Sequence, residues 1–446
     1  MDDYRRSFSQ FGDGGGISSS VLLINPSPLR SASAELKLFD ALGNPLPVEL
    51  DGEPQQGELL FNFPPQDLAL FSSSGGEDVR TGSVLLEADS RIEGTILFSG
   101  DTTGVAGVGA VKVSNLKFLI PIESDFEAGI RTGIALANHQ LDGQDLTVCL
   151  RRADGSSPDN GEAVIKLPSG GQLARFVEEI YAESGIEFGS FQGSMLVGSK
   201  APVAGMAIRV SPAQFATLPI TPVGFGSKLL HFPQFGDGQG ITSTLILVNP
   251  SGRLPASGTV HLFDAQGQPL SVSMNGVQRM GQFQFALPPS GVEFFSSEGV
   301  GKTVANGSVQ VESNQFIGGT ILFAGDFGVA GVGAVPLSTR FMVPVESDGT
   351  FGISTGVAPE NPAPGPTIAT LSLRSTGSAE PGFIAHIPLP GKGQLPRFPA
   401  EIFVAAEIDF TEFRGTLEVQ APHPLAGMAI RVSPQEFATL PISRVD

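Results

Sequence analysis

Disulfides, tryptophan and basic charge are what this sequence is short of. Cys149 is the only cysteine in 446 residues, so no intramolecular disulfide can form. It lies in the apolar run Leu146-Thr147-Val148-Cys149-Leu150, where a thiol behaves as a small buried hydrophobe rather than as a nucleophile. Tryptophan is missing and tyrosine occurs twice, against 32 phenylalanines. That profile favours rings inside cores over the exposed platforms that stack sugars or bases. Lys and Arg number 26 against 45 Asp and Glu, for a net charge of −19. A nucleic-acid partner needs a basic stripe and none is present, so nucleic acid is not expected. No stretch approaches the roughly 18 apolar residues of a membrane-crossing helix, and membrane insertion is not expected either. The opening Met1-Asp2-Asp3-Tyr4-Arg5-Arg6 is too polar for a signal peptide, so any export runs without one or after its removal.

The usual marks of an enzyme are also missing. The five histidines (His139, His231, His261, His386 and His423) have no metal-ligand spacing with one another. Gly12-Asp13-Gly14-Gly15-Gly16 is glycine-rich but lacks the Lys-Ser/Thr of a phosphate-binding loop. No Gly-x-Ser-x-Gly elbow occurs, since Gly189-Ser190-Phe191-Gln192-Gly193 has its serine one place early. No nucleophile, base and orienting group stand together, and no enzymatic activity is expected.

What the chain does have is repetition. Phe235-Gly236-Asp237-Gly238-Gln239-Gly240-Ile241 runs on to Leu247-Val248-Asn249-Pro250, and nearly the same words run from Phe11 to Pro26. Within each half a weaker copy appears: Gly129-Ile130 to Ala137-Asn138 lines up with Gly16-Ile17 to Asn25. Short alternating runs such as Ala34–Asp40, Leu59–Phe63, Gly82–Ala88 and Glu93–Phe98 are separated by turn residues. Strands at that spacing read as antiparallel sandwiches. The expected fold is therefore all-β: four tandem Ig-like antiparallel β-sandwich modules in A-B-A-B order, at 1–115, 116–223, 229–339 and 340–446. Gly171–Ile180 and Gly393–Ile402 carry apolar residues at helical spacing, which predicts a short helix in each B module, cut down by Pro399 in the second. Such repeats, each touching only its neighbours, are expected to run quasi-linearly, with some freedom at Thr221–Lys228.

Several phrases occur twice. Leu167-Pro168 to Glu179-Ile180 returns at 389–402, Phe191-Gln192-Gly193-Ser194-Met195 at 413–417, and Phe215-Ala216-Thr217-Leu218-Pro219-Ile220 at 437–442. With the Thr244-Leu245-Ile246-Leu247-Val248-Asn249-Pro250 strand, these phrases resemble the tandem β-sandwich repeats of large secreted bacterial surface proteins. The resemblance covers almost the whole chain and implies export, an extracellular or cell-surface location, and no particular activity. It makes a non-enzymatic structural or adhesive protein the leading expectation, a spacer or subunit of a bacterial surface assembly or filament. Its partners would be copies of itself, through edge strands, or other surface proteins. The alternative expectation is a carbohydrate- or ligand-binding β-sandwich module, with glycans among the candidates. For sites, only acidic turns remain. Asp13 and Asp237 stand in Phe-Gly-Asp-Gly, Asp125 and Asp348 in Glu-Ser-Asp, and Asp101 and Asp326 after a Leu-Phe-x-Gly stretch. Calcium takes hard oxygen ligands from such loops, while Asp-Gly is equally what a tight turn requires.

Overall fold

The computed structural model describes residues 4–100, 104–113, 115–212, 214–326, 328–378, 382–406, 408–434, 436–440 and 442–445. Strands make up 64% of the chain and helices 3%, so the all-β expectation holds. Every strand pair described is antiparallel. The first quarter pairs Val111–Lys112, Arg6–Asp13, Arg80–Ala88, Ala32–Asp40 and Glu58–Phe63 in one sheet. A second sheet orders Gly104–Gly109, Glu93–Gly100, Ile17–Ile24 and Leu68–Ser72. The second quarter repeats this five-plus-four arrangement from Lys117 to Pro222. In the second half the pattern returns with one change. Ala305–Gly325 and Glu412–Ser433 are single long strands that pass from one sheet into the other, where the first half breaks the chain in two.

The recurring Asn has a structural reason. Asn25, Asn138, Asn249 and Asn361 are fully buried at the ends of equivalent strands. Each side-chain amide donates to a proline carbonyl across the loop: Pro64 at 2.9 Å, Pro168 at 2.8 Å, Pro288 at 2.9 Å and Pro390 at 3.0 Å. A carbonyl that no strand can pair is thereby satisfied inside the fold.

The helical expectation survives only in part. Val177–Ile180 and Pro399–Ile402 are single helical turns. Gln172–Phe176, where the apolar spacing began, is instead a strand paired with Arg131–Ala137. The backbone hydrogen bonds of that sheet edge outweigh the weak helical preference of so short a run.

The four quarters do not form a line. One sheet of each lies face to face on the other sheet of the next, and the fourth returns to the first. Arg6–Asp13 lies on Arg131–Ala137 and Ala204–Ser211, and Lys117–Asp125 lies on Thr242–Val248. Ser227–Asp237 lies on Ile353–Glu360, and Glu412–Ser433 reaches Leu68–Ser72. The cores follow the same circuit. Ala135 and Met206 complete the first core, Ile246 and Val292 the second, Ala358 and Met428 the third, and Leu97 and Val105 the fourth. One head-to-tail contact used four times has closed on itself. The expected central linker takes part in this packing, with Thr221–Pro222 paired to Leu119 and Phe118 and Ser227 to Ile317.

Four strands meet at the middle of the ring: Gly104–Gly109, Gln214–Leu218, Gly328–Gly333 and Glu436–Leu440. Thr217 Oγ1 donates to the Gly107 carbonyl at 2.5 Å, and Thr439 Oγ1 to that of Gly331 at 2.6 Å. A Cβ on Gly107 would collide with the Thr439 carbonyl, and one on Gly331 with that of Thr217. Glycine is needed here because backbones touch.

Candidate ligand-binding cleft

The glycine-rich turn between the first two strands sits at the rim of a cleft of about 410 Å³ between the first and second quarters. Ile17, Phe98 and Ala106 line it from one side, and Ile134, Met206 and Phe215 from the other. Gly12 and Gly133 also line it, and a Cβ on either would press on Ile17 or Ile208 of the same wall at 3.4 and 3.3 Å. Ala174 and Phe176, on the strand Gln172–Phe176, close one flank. Polar groups stand at the mouth: Gln10, Arg80, Arg175 and Glu179. A concave apolar chamber with a few polar groups at its entrance is the ordinary form of a small-molecule site, and its volume is within the usual range.

The acidic turns are bound up in local geometry. Asp13 Oδ1 accepts from Gly75 N at 2.9 Å, and Asp237 Oδ1 from Gly299 N at 2.7 Å. Asp125 Oδ1 accepts from Ala128 N at 3.1 Å, and Asp348 Oδ1 from Thr350 N at 2.9 Å. Asp326 is exposed, and Asp101 lies outside the described residues. Of these, only Asp13 reaches the cleft. Among the described residues no group of three or more His, Cys, Asp or Glu is arranged to hold a metal ion. The neighbouring Glu123 and Glu346 are taken up by Arg209 at 2.5 Å and Arg431 at 2.8 Å.

The groups that sequence reading missed are those buried in the joints. Ser7 Oγ meets His139 Nε2 at 2.6 Å across the first joint, and burial, with the nearby Arg5 charge, depresses that imidazole to about 4. Arg6 grips Glu93 in a two-pronged pair at 3.1 and 3.2 Å beside it. The third joint contains Glu360, fully buried, whose Oε1 accepts from Gln310 Nε2 at 2.8 Å. Burial raises Glu360 to about 7, although the bond from Gln310 and the Lys392 charge act the other way. His231, next to Gln310 across the strands, is depressed to about 4 by burial and by the Lys392 charge. Cys149, meanwhile, is a half-buried free thiol pushed up by burial, not an activated one. In sequence nothing marks these polar residues as buried until a second sheet covers them.

No family model matches the chain, and no curated protein matches it. Among solved structures, the crystal structure of Thermotoga maritima 1070 is 15% identical, covers 24% of this chain and 92% of that one, and has a TM-score of 0.19. The structure of surface layer protein SbsC, domains 1-6, is 10% identical over 97% of this chain and 66% of that one, with a TM-score of 0.08. Scores this low carry no argument about fold or function.

Proposed function

We propose that the chain is four Ig-like β-sandwiches in A-B-A-B order and that it works as a non-enzymatic ligand-binding module. The observation that carries this reading is the cleft of about 410 Å³ between the first two quarters, walled by apolar side chains on two separate sheets. A ligand there would be held between two units that are already fixed against each other, so little ordering would be needed on binding. The titratable groups in the joints, such as Glu360 and His231, are enclosed between sheets, whereas the cleft opens to solvent at its polar mouth.

A second reading has its own support. Leu60, Val164, Ile368 and Ile384 are exposed at 72, 61, 59 and 59% on strands at or next to the outer edges of the large sheets. Uncovered apolar edges suit self-association or attachment to other surface proteins, so a structural or adhesive role outside the cell is the alternative. The closed circuit makes such a subunit a compact block rather than an extended spacer.

Thermal-shift screening with small molecules and glycans separates the two, using wild type and Ala174→Trp, which fills the cleft mouth from an exposed position. A ligand at about 100 times its Kd should add about 2.7 kcal/mol to wild type. That gain should vanish in Ala174→Trp. Equal shifts in both proteins would remove the cleft from consideration, and regular filaments by electron microscopy would favour the second reading.

A further inference from the structure

The two halves each contain a joint of this kind between their quarters, and the equivalent positions differ in charge. In the first half, Arg80 and Arg175 line the mouth of the cleft, and Arg131 stacks on the Phe176 wall with its guanidinium carbon 3.6 Å from the ring centre. Strand register places Ala305 where Arg80 stands and Ser354 where Arg131 stands. Arg397 takes the place of Arg175, but it is spent on Glu401 at 3.7 Å. At the third joint Phe323 and Phe437 meet edge to face at 6.3 Å and 87°.

Arg80 and Arg175 make no ion pair among the described residues. Arg80 donates once, to the Pro47 carbonyl at 3.0 Å. The carboxylates nearby are already committed. Asp13 accepts from Gly75 N, and Glu179 accepts from Phe176 N at 3.1 Å and lies 3.7 Å from Arg131. In a chain of net charge −19, two unpaired guanidinium groups at the rim of an apolar chamber are a local exception to the overall field.

Resting on the ligand-binding reading, we propose that the first-half cleft selects a small anion with an apolar body, a carboxylate, sulfonate or phosphate ester carried on an aromatic or aliphatic group. The body fills the space between Phe98, Met206 and Phe215, and the anionic group stays at the mouth between Arg80 and Arg175. A guanidinium presents a planar fork that suits such oxyanions, and the partly desolvated rim strengthens the attraction relative to open water. The third joint, with Ala305 and a paired Arg397, takes no such ligand, so the molecule binds one equivalent.

Two fluorescent probes test this on the full chain: anilinonaphthalene sulfonate, and phenyl-naphthylamine, which has the same rings without the sulfonate. The sulfonate probe should bind at one per chain and more tightly than the neutral one. The Arg80→Gln/Arg175→Gln double variant should weaken the sulfonate probe about tenfold and leave the neutral probe unchanged, and Arg80→Lys/Arg175→Lys should recover most of the loss. Ala174→Trp should abolish binding of both, while Arg397→Gln should affect neither. Equal affinity for the two probes, or sulfonate binding indifferent to the arginines, would overturn the anion and leave the cleft as a binding site. Binding of both probes that survives Ala174→Trp would overturn the cleft itself.

Discussion

The ring has two joints at which a sheet of the second or fourth quarter covers a sheet of the third or first, and they differ in how they are joined. One is spanned by the polypeptide between Pro219 and Ser227, and the other brings the fourth quarter back to the first with no connecting chain. Both keep one backbone-directed bond. Ser194 Oγ donates to the Ser290 carbonyl at 3.0 Å, and Thr416 Oγ1 donates to the Gln66 carbonyl at the same distance. Beyond that bond they part. The closing joint adds a clasp in which Glu418 accepts from Arg340 at 2.7 and 2.9 Å and from the Gln66 amide. Arg374 donates to Gln66 Oε1 at 2.8 Å, and Asp67 accepts from Gly377 N at 3.1 Å. At the spanned joint Leu196 occupies the position of Glu418. A linker raises the effective concentration of two faces, so apolar contact suffices there. Without a linker, directional groups are needed to fix the register.

The strongest way to break this comparison is to separate the halves. Residues 1–222 alone should form a two-fold dimer in which a second copy supplies the missing faces, and the second half should do likewise. Mixed together, the two fragments should prefer each other, because only that pairing builds the clasp. Sedimentation would read all three masses, and a stable monomeric fragment would mean that the joints are not interchangeable.

A narrower change is Glu418→Ala, which leaves Arg340 and the Gln66 amide without their carboxylate. Arg340 is about a third exposed, so the cost should be about 2 kcal/mol rather than the larger loss of a fully buried pair. Urea unfolding would measure it, and Leu196→Ala at the spanned joint provides the contrast, since it should cost a similar amount without opening the ring in small-angle scattering.

The joints within each half give the third test. Glu360 has its folded pKa raised from 4.5 to about 7, so its contribution is present at low pH and is lost as pH rises through about 7. His139 and His231 are depressed from 6.5 to about 4, so theirs is present above 6.5 and is lost as pH falls towards 4. Among the described residues of these two joints, a raised carboxyl and a depressed imidazole occur together in the second half, as Glu360 and His231. Glu360→Gln should therefore gain on wild type as pH rises from 4.5 to about 8, by roughly 3 kcal/mol. Parallel stability profiles across that range would contradict the assignment.

How much of this could be read in the sequence depends on the distance over which each feature is decided. The duplication, the strand type and the Asn-Pro stops are local, and Asn25 and Asn249 do what their repetition suggested. The strand Leu68–Ser72 was not legible, because Pro64-Pro65 before it reads as an ending, while the chain turns through Gln66 at φ 57° and resumes. The circular arrangement was not legible either. It rests on pairs such as Gln66 with Glu418, whose separation in sequence exceeds 350 residues, and on polar residues covered only when sheets stack. The cleft has the same origin: Arg80 and Arg175 come to line one cavity only once two sheets from different quarters face each other.

The circuit also imposes an order on synthesis. Leu22, Ile24 and Leu68 are made early, yet Met342 and Val445, which cover them, belong to the last quarter. At ordinary translation rates that leaves an apolar flank uncovered for roughly twenty seconds to a minute on each nascent chain. For that interval the flank is matched to any neighbouring chain that displays an uncovered fourth quarter, so on crowded polysomes exchange between molecules competes with closure within one.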